Sequence, residues 1–275
     1  MRWVDRHYEF VNWFYRQYAI VHFSMKSIDI TIIAMTGEAD LAAVGALLAD
    51  RTRATFLLTL LGGGLTSASA LAARADVSAS LASNHLRKLS EGGLVVVEPH
   101  GRQRMYRLAS QSTAEALEAL IPLAPLAQVR SLRGVHQRDN LRRARLCYDH
   151  LAGRAGVALT EQLGRTGLLT DRDDGYEVTD DGARAFAELG IDVAALATKP
   201  RPLTRACLDW SERRPHLAGS LGAALTAEML RRDWLDSREA SRIVTVTPAG
   251  REQLAARFGL TSAGLDLPDE HPRAA

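Results

Sequence analysis

From about residue 38 the chain alternates between stretches with apolar residues at helical spacing and short clusters of glycine, proline and small polar residues. Leu41, Val44, Leu47 and Leu48 form one stripe, and Asp50 stands where a second helix, 51–61, needs its N-cap. Gly62-Gly63-Gly64 stops that helix. Thr66 or Ser67 caps a third helix with Leu71 and Ala72 facing inward. Ser78 caps a fourth, which runs to about Ser90 and is closed by Gly92-Gly93. Residues 94–98 and 103–108 read as a hairpin around Pro99-His100-Gly101-Arg102. Another helix starts at Ser112 or Thr113, runs through Leu120 and is broken by Pro122 and Pro125.

The stretch SASLASNHLRKLSEGGLV (78–95) carries the most chemistry. The turn Ala75-Asp76-Val77 is the short link a helix-turn-helix needs to hold its second helix proud of the surface. Leu81, Leu86 and Leu89 are expected in the core. Ser78, Ser80, Ser83, Asn84, Arg87 and Lys88 then face outward, with His85 at the boundary. Hydroxyls and an amide near the start of a protruding helix suit base edges in a major groove, and the helix N-terminus favours a phosphate. The net charge of the whole chain is only +2, but residues 50–108 hold eight Lys or Arg against four Asp or Glu. His100, Arg102, Arg104 and Arg107 lie on the hairpin, where backbone contacts to DNA need them. These features predict a winged helix-turn-helix that binds double-stranded DNA. The alternative reading is a non-catalytic adaptor whose winged helices meet proteins, and steep salt dependence separates the two.

Beyond residue 140 the chain repeats itself. Residues 147–169 and 207–235 share Cys-x-Asp, His-Leu-Ala-Gly and Gly-x-Ala-Leu-Thr in order, with six extra residues in the second copy. Each copy ends on Val-Thr, two residues, Gly and an amphipathic stretch (178–191 and 246–260), as winged-helix units often do. The expected fold is therefore mainly α with small β-hairpin wings: a winged helix-turn-helix domain followed by a tandem winged-helix-like domain. The expected segments are an extension at 1–34, a DNA-binding domain at 35–125, repeats at 140–197 and 203–260, and a flexible tail at 261–275.

The extension holds eight of the 16 aromatics. It reads as a dimerisation or membrane-touching helix or, preferably, as a reading frame opened upstream of a natural start at Met25 or Met35. The apolar run Ile28–Met35 is far too short to span a membrane, and the first 23 residues lack a secretory pattern. Two cysteines cannot build a disulfide framework, so a reduced, cytoplasmic protein without membrane contact is expected. With no phosphate loop, GxGxxG, zinc-hydrolase helix or nucleophile elbow, no enzyme is expected.

Residues 47–109 resemble the DNA-binding domain of the ArsR/SmtB family of repressors, and the likeness extends over about 38–121. Leu48-Ala49-Asp50-Arg51-Thr52-Arg53 resembles the family's second helix; Ser83-Asn84-His85-Leu86, with Leu89 and Gly93-Leu94-Val95, resembles its recognition helix and first wing strand. The resemblance implies a repressor released by an effector, and a homodimer joined through the first helix and the one after the wing, Thr113–Leu120. Neither metal site of the family transfers: Leu65-Thr66-Ser67-Ala68 holds no ligand, and 114–126 lack the Asp and His pairs. Ala79 stands where relatives often have Gln, so the operator is not implied.

Cys147, Asp149 and His150 in one repeat, and Cys207, Asp209 and His216 in the other, are candidate ligands for a metal ion or targets of a thiol-reactive effector. The preferred reading is that the pair is buried for packing, because Cys-x-Asp fits no closed zinc motif. Sulfurs within about 4 Å of each other would instead fit one shared ion.

Overall fold

The computed structural model describes residues 39–101, 103–125, 131–173, 175–261 and 265; the expected 1–34 extension lies outside them. Two units are distinguished, residues 1–46 and 47–275. In the first, the Asp40 carboxylate accepts the Ala43 amide at 3.0 Å and starts helix α1 (Leu41–Leu48), where Leu41 and Val44 are exposed.

The second unit opens with the winged helix-turn-helix: α2 (Arg51–Leu60), β1 (Thr66–Ser67), α3 (Ala68–Ala75), α4 (Ala79–Glu91), β2 (Val95–His100), β3 (Gln103–Leu108) and α5 (Gln111–Leu120). Asp50, Ser67 and Ser78 cap α2, α3 and α4 through their side-chain oxygens, as the residue pattern predicts. Phe56, Leu60, Leu71, Leu86, Leu89 and Leu108 are fully buried and clamp the three helices to a sheet of order β1-β3-β2.

Three expectations shift here. Leu81 is 44% exposed and Ala82 is buried in its place. At 3.6 residues per turn Leu81 stands about 80° round the helix from Leu89, whereas Ala82 is about 20° away. The hairpin is longer than expected, because Pro99 pairs with Arg104 and His100 with Gln103, leaving a two-residue turn with Gly101 at φ 60°. Pro99 is tolerated because β2 is an edge strand. The cap of α5 is Ser110, whose hydroxyl accepts the Thr113 amide at 3.0 Å.

After a 3₁₀ turn at Ile121–Leu123 and helix α6 (Leu132–Arg143), two similar blocks follow. The first is β4 (Arg145–Cys147), β5 (His150–Ala152), α7 (Gly153–Arg165), β6 (Leu169–Arg172), β7 (Gly175–Val178) and α8 (Asp180–Glu188). A short helix α9 (Val193–Ala197) leads to the second: β8 (Arg205–Leu208), β9 (Pro215–Ala218), α10 (Gly219–Arg231), β10 (Leu235–Ser237), β11 (Val244–Val246) and α11 (Pro248–Phe258). Thr179 and Thr247 cap α8 and α11 by accepting the amides of Gly182 and Gly250, which explains the shared Val-Thr-x-x-Gly. Neither glycine has room for a side chain, since each faces a backbone carbonyl, of Leu168 and Trp234 respectively.

The blocks exchange matching bonds. The Leu151 amide donates to Thr226 Oγ1 at 2.9 Å, and the Leu217 amide to Thr160 Oγ1 at 2.8 Å. Their common core contains Leu159, Leu163, Phe186, Leu221, Met229 and Phe258. Cys147 and His150 lie on paired strands, each of three residues and so too short to show a period of two in the sequence. Leu265 is 1% exposed within this core, so the expected loose tail from 261 is anchored there; the other residues beyond Thr261 lie outside those described.

Candidate functional site: nucleic-acid interface and cysteine–histidine cluster

Helix α4 buries Ala82, Leu86 and Leu89 and turns Ser80, Ser83, Asn84, Arg87 and Lys88 to solvent beside its capping residue Ser78. The pre-existing bonds of these groups set their availability. Ser83 Oγ donates to the Ala79 carbonyl at 2.9 Å, and Arg87 pairs with Glu91 at 2.8 Å while also reaching Asn84 Oδ1 at 3.3 Å. His85 is drawn back, its side chain 12% exposed and its Nδ1 3.5 Å from Asp50 Oδ1. The wing exposes His100 and Arg104, whereas Arg107 is held by Glu98 at 2.6 Å; Arg102 lies outside the described residues. The basic excess expected from the sequence is thus partly neutralised, with Lys88 and Arg104 among the charges that stay exposed.

The second constellation is buried. Register pairs Cys147 with His150 across β4–β5 and Cys207 with His216 across β8–β9, and the two hairpins meet. The two Sγ atoms are 3.9 Å apart and the two imidazole centroids 5.1 Å apart. One donor atom from each of the four residues lies within 4.8 Å of the others. His150 and His216 are 3% and 1% exposed, and the Nε2 of each is buried without a hydrogen-bond partner. Their Nδ1 atoms face carboxylates: Asp149 Oδ1 at 3.2 Å from His150, and Asp209 Oδ2 at 3.5 Å from His216.

Both aspartates are thereby engaged elsewhere than in the cluster. Asp209 is fully buried and accepts from Arg145 at 2.8 Å, from the Gly153 amide at 2.7 Å and from Ser211, while Arg145 stacks on Trp210 at 4.6 Å. The inserted residues of the second repeat supply Trp210 and Ser211. Burial alone would raise the Asp209 carboxyl, but the Arg145 charge and these bonds hold it well below the usual range. Asp149 is likewise penalised by burial, yet bonds from His150 and Arg201 bring it down to about 2. Of the thiols, Cys207 ionises more readily, because the Cys147 thiol donates to it and both imidazoles face it; that contact and burial push Cys147 up.

A helix-turn-helix domain model matches residues 48–98. The chain is 42% identical over 212 residues to the helix-turn-helix transcriptional regulator YdfF of Bacillus subtilis, covering 77% of this chain and 94% of that protein. The chain belongs to the helix-turn-helix transcriptional regulators, of the ArsR/SmtB type. The transcriptional regulator CmtR of Mycobacterium tuberculosis shares 44% identity over 80 residues, 29% of this chain and 67% of that protein. Its solution structure, described as a cadmium sensor, covers 33% of this regulator and 93% of that chain at 38% identity, with a TM-score of 0.28. The homodimeric winged helix-turn-helix domain of Mb0332 from Mycobacterium bovis covers 38% of this regulator and 88% of that chain at 26% identity, with a TM-score of 0.29.

Sequence reasoning names all four members of the regulator's cluster but misses their partners. Arg145 and Arg201, which hold the two aspartates, carry no motif. Tyr148, between Cys147 and Asp149, is also missed. It adopts a left-handed φ of 63°, packs its ring against the core of the winged helix and donates its amide to the Leu61 carbonyl at 2.7 Å. A two-residue turn at 148–149 is a hairpin signal only once the flanking strands are known. No helix among the described residues is long and apolar enough to cross a membrane.

Proposed function

We propose that this DNA-binding transcriptional regulator is a sequence-specific repressor of double-stranded DNA that works in the cytoplasm as a homodimer and is released when its C-terminal half takes up an effector. The observation that carries the reading is the exposed face of α4. Ser80, Ser83 and Asn84 stand clear of a helix locked into the core on its other side, with Lys88 and the wing residue Arg104 exposed nearby. In this reading Asn84 and the serines read base edges, Lys88 and Arg104 meet phosphates, and Arg87 exchanges Glu91 for a phosphate. The exposed Leu81 offers an apolar contact to a thymine methyl. His85 supports α4 against Asp50, and Arg102, outside the described residues, is a further proposed DNA contact.

The domain division in this reading is 35–125 for DNA and 140–197 with 203–260 for the effector. The matching order of hairpin, 13-residue helix, hairpin and helix in both repeats supports a tandem winged-helix-like domain. Exposed Leu41 and Val44 on α1, and Leu120 at the end of α5, supply apolar surface for a partner protomer. Non-catalytic chemistry follows from the role, as binding and release need no bond to be broken.

Selection of duplexes from a random pool tests the reading. The expected result is one enriched pseudo-palindrome with half-sites about one helical turn, roughly 10 base pairs, apart, bound with a steep salt dependence. A pool that stays random, together with retention indifferent to salt, would move the function to protein contacts.

A further inference from the structure

The Cys147–Cys207 pair invites a packing explanation, but the polar atoms around it do not fit one. Packed thiols need only apolar neighbours, whereas here two imidazole Nε2 atoms are buried beside them without any partner. A buried polar atom left unpaired is costly, and nature rarely leaves two side by side. We infer that Cys147, His150, Cys207 and His216 form a closed tetrahedral site for a zinc-class divalent cation, and that this cation is the effector. The inference rests on the reading of the protein as an effector-released DNA-binding regulator.

The donor set and its spacing agree. Two sulfurs bound at about 2.3 Å in a tetrahedron lie about 3.8 Å apart. The observed separation is 3.9 Å, so little movement is needed to close the site. Two thiolates and two imidazoles suit Zn²⁺ and its softer relative Cd²⁺, whereas hard cations such as Mg²⁺ prefer oxygen. Four protein donors leave no open position, which fits sensing or structure and not hydrolysis. On binding, any proton still on the thiols leaves to solvent as the two sulfur–metal bonds form. The site then holds two negative ligands against a dication and is neutral overall.

The surroundings match what a metal-binding histidine needs. Asp149 bonds the Nδ1 of His150 at 3.2 Å, which fixes its tautomer and leaves Nε2 as the donor atom, while Asp209 Oδ2 stands 3.5 Å from a His216 Nδ1 that makes no hydrogen bond. The aspartates are positioning residues, not ligands. A cavity of about 390 Å³, lined by Glu118, Pro122, Ala206 and Leu208, reaches Cys147, His150 and Cys207 and supplies an entry path.

The same hairpin explains how occupancy reaches DNA. Cys147 and His150 bracket the turn that holds Tyr148, and the Tyr148 amide bonds the Leu61 carbonyl at the end of α2. Gly63, at φ 69°, lies so close under the Tyr148 carbonyl that no side chain fits between them. Arg205, two residues before Cys207, also pairs with Glu115 of α5 at 2.6 Å. An ion held by both hairpins therefore fixes the spacing of segments that bond the end of α2 and α5.

The test uses the reduced full chain. Titration with Co²⁺ should produce thiolate-to-cobalt charge transfer and the intense visible bands of a tetrahedral ion, saturating at one equivalent per chain and bleached by Zn²⁺. Cys207→Ser and His216→Gln should each abolish or shift these bands, with circular dichroism recording whether each variant folds. Asp149→Asn keeps all four ligands and should weaken Co²⁺ binding by about 10–100-fold. Zn²⁺ should weaken binding to the duplex enriched from the random pool by at least about 5-fold relative to chelator-treated protein. Absence of the cobalt bands at one equivalent overturns the site, as does their survival unchanged in both ligand variants. Stoichiometric cobalt with duplex affinity indifferent to Zn²⁺ overturns the effector role. DNA binding by the chelator-treated protein reports separately on the repressor reading, so the two can fail independently.

Discussion

The sulfurs of Cys147 and Cys207, 60 residues apart in the chain, lie 3.9 Å from each other in the fold. The two thiols are unequal: Cys147 is buried, while Cys207 is half-buried and borders the cavity under α5. Donation from Cys147 and the facing imidazoles favour the Cys207 thiolate, and the thiolate is the reactive form. Brief treatment of the reduced, chelator-treated protein with iodoacetamide should therefore label Cys207 well before Cys147. Peptide mapping checks this, and equal labelling of the two would contradict the assigned asymmetry.

Thr160 and Thr226 do the same work in the two repeats, each accepting the amide that follows the other repeat's histidine. Thr160→Val and Thr226→Val keep the shape but leave a buried N–H unpaired, at a cost of about 1–3 kcal/mol each. Urea unfolding should show similar losses for both. A loss confined to one variant would mean that the pseudo-symmetry is geometric only.

Lys88 and Arg104 are exposed on α4 and the wing. If both meet phosphates, Lys88→Ala and Arg104→Ala should weaken binding to every duplex and flatten the salt slope by about one unit each. Binding isotherms at several salt concentrations decide it. Unchanged affinity in both folded variants would remove the DNA reading of that surface.

Asn84 lies on the exposed face, its Oδ1 reached by Arg87 at 3.3 Å. As a base reader, Asn84→Ala should cost about 1–3 kcal/mol on the selected duplex and little on random DNA. Equal losses on both sequences would assign it to positioning on the backbone.

Asp50 caps α2 through the Arg53 amide at 2.9 Å, and that bond, more than the nearby His85 and Arg53 charges, holds its carboxyl below the usual range. A depressed carboxyl contributes stability above its unfolded value, about 3.9, and loses it as pH falls through the folded value. Asp50→Ala should cost about 0.5–2 kcal/mol at neutral pH, and the gap to wild type should shrink as the pH drops below 4. Urea unfolding across that range measures it; a gap independent of pH would show that the charge plays no part.

The winged helix-turn-helix is legible in the sequence because its determinants are local. Asp50, Ser67 and Ser78 cap helices a few residues away, Gly62–Gly64 and Gly92-Gly93 end them, and the leucine spacing sets the buried face. Where helix phase had to be resolved more finely, as between Leu81 and Ala82, only packing against α2 and the sheet decided it. The repeat was equally legible, since Val-Thr-x-x-Gly records a cap and a close approach inside each copy. What the linear pattern could not decide was whether Cys147 and Cys207 are inert. Their fate depends on two short hairpins, one of three-residue and one of four-residue strands, meeting across a pseudo-two-fold relation, and on Arg145 and Arg201 drawing both aspartates to the outer side of the imidazoles. Such strands have too little period to be read and such arginines no fixed spacing, so the cluster exists only through long-range packing.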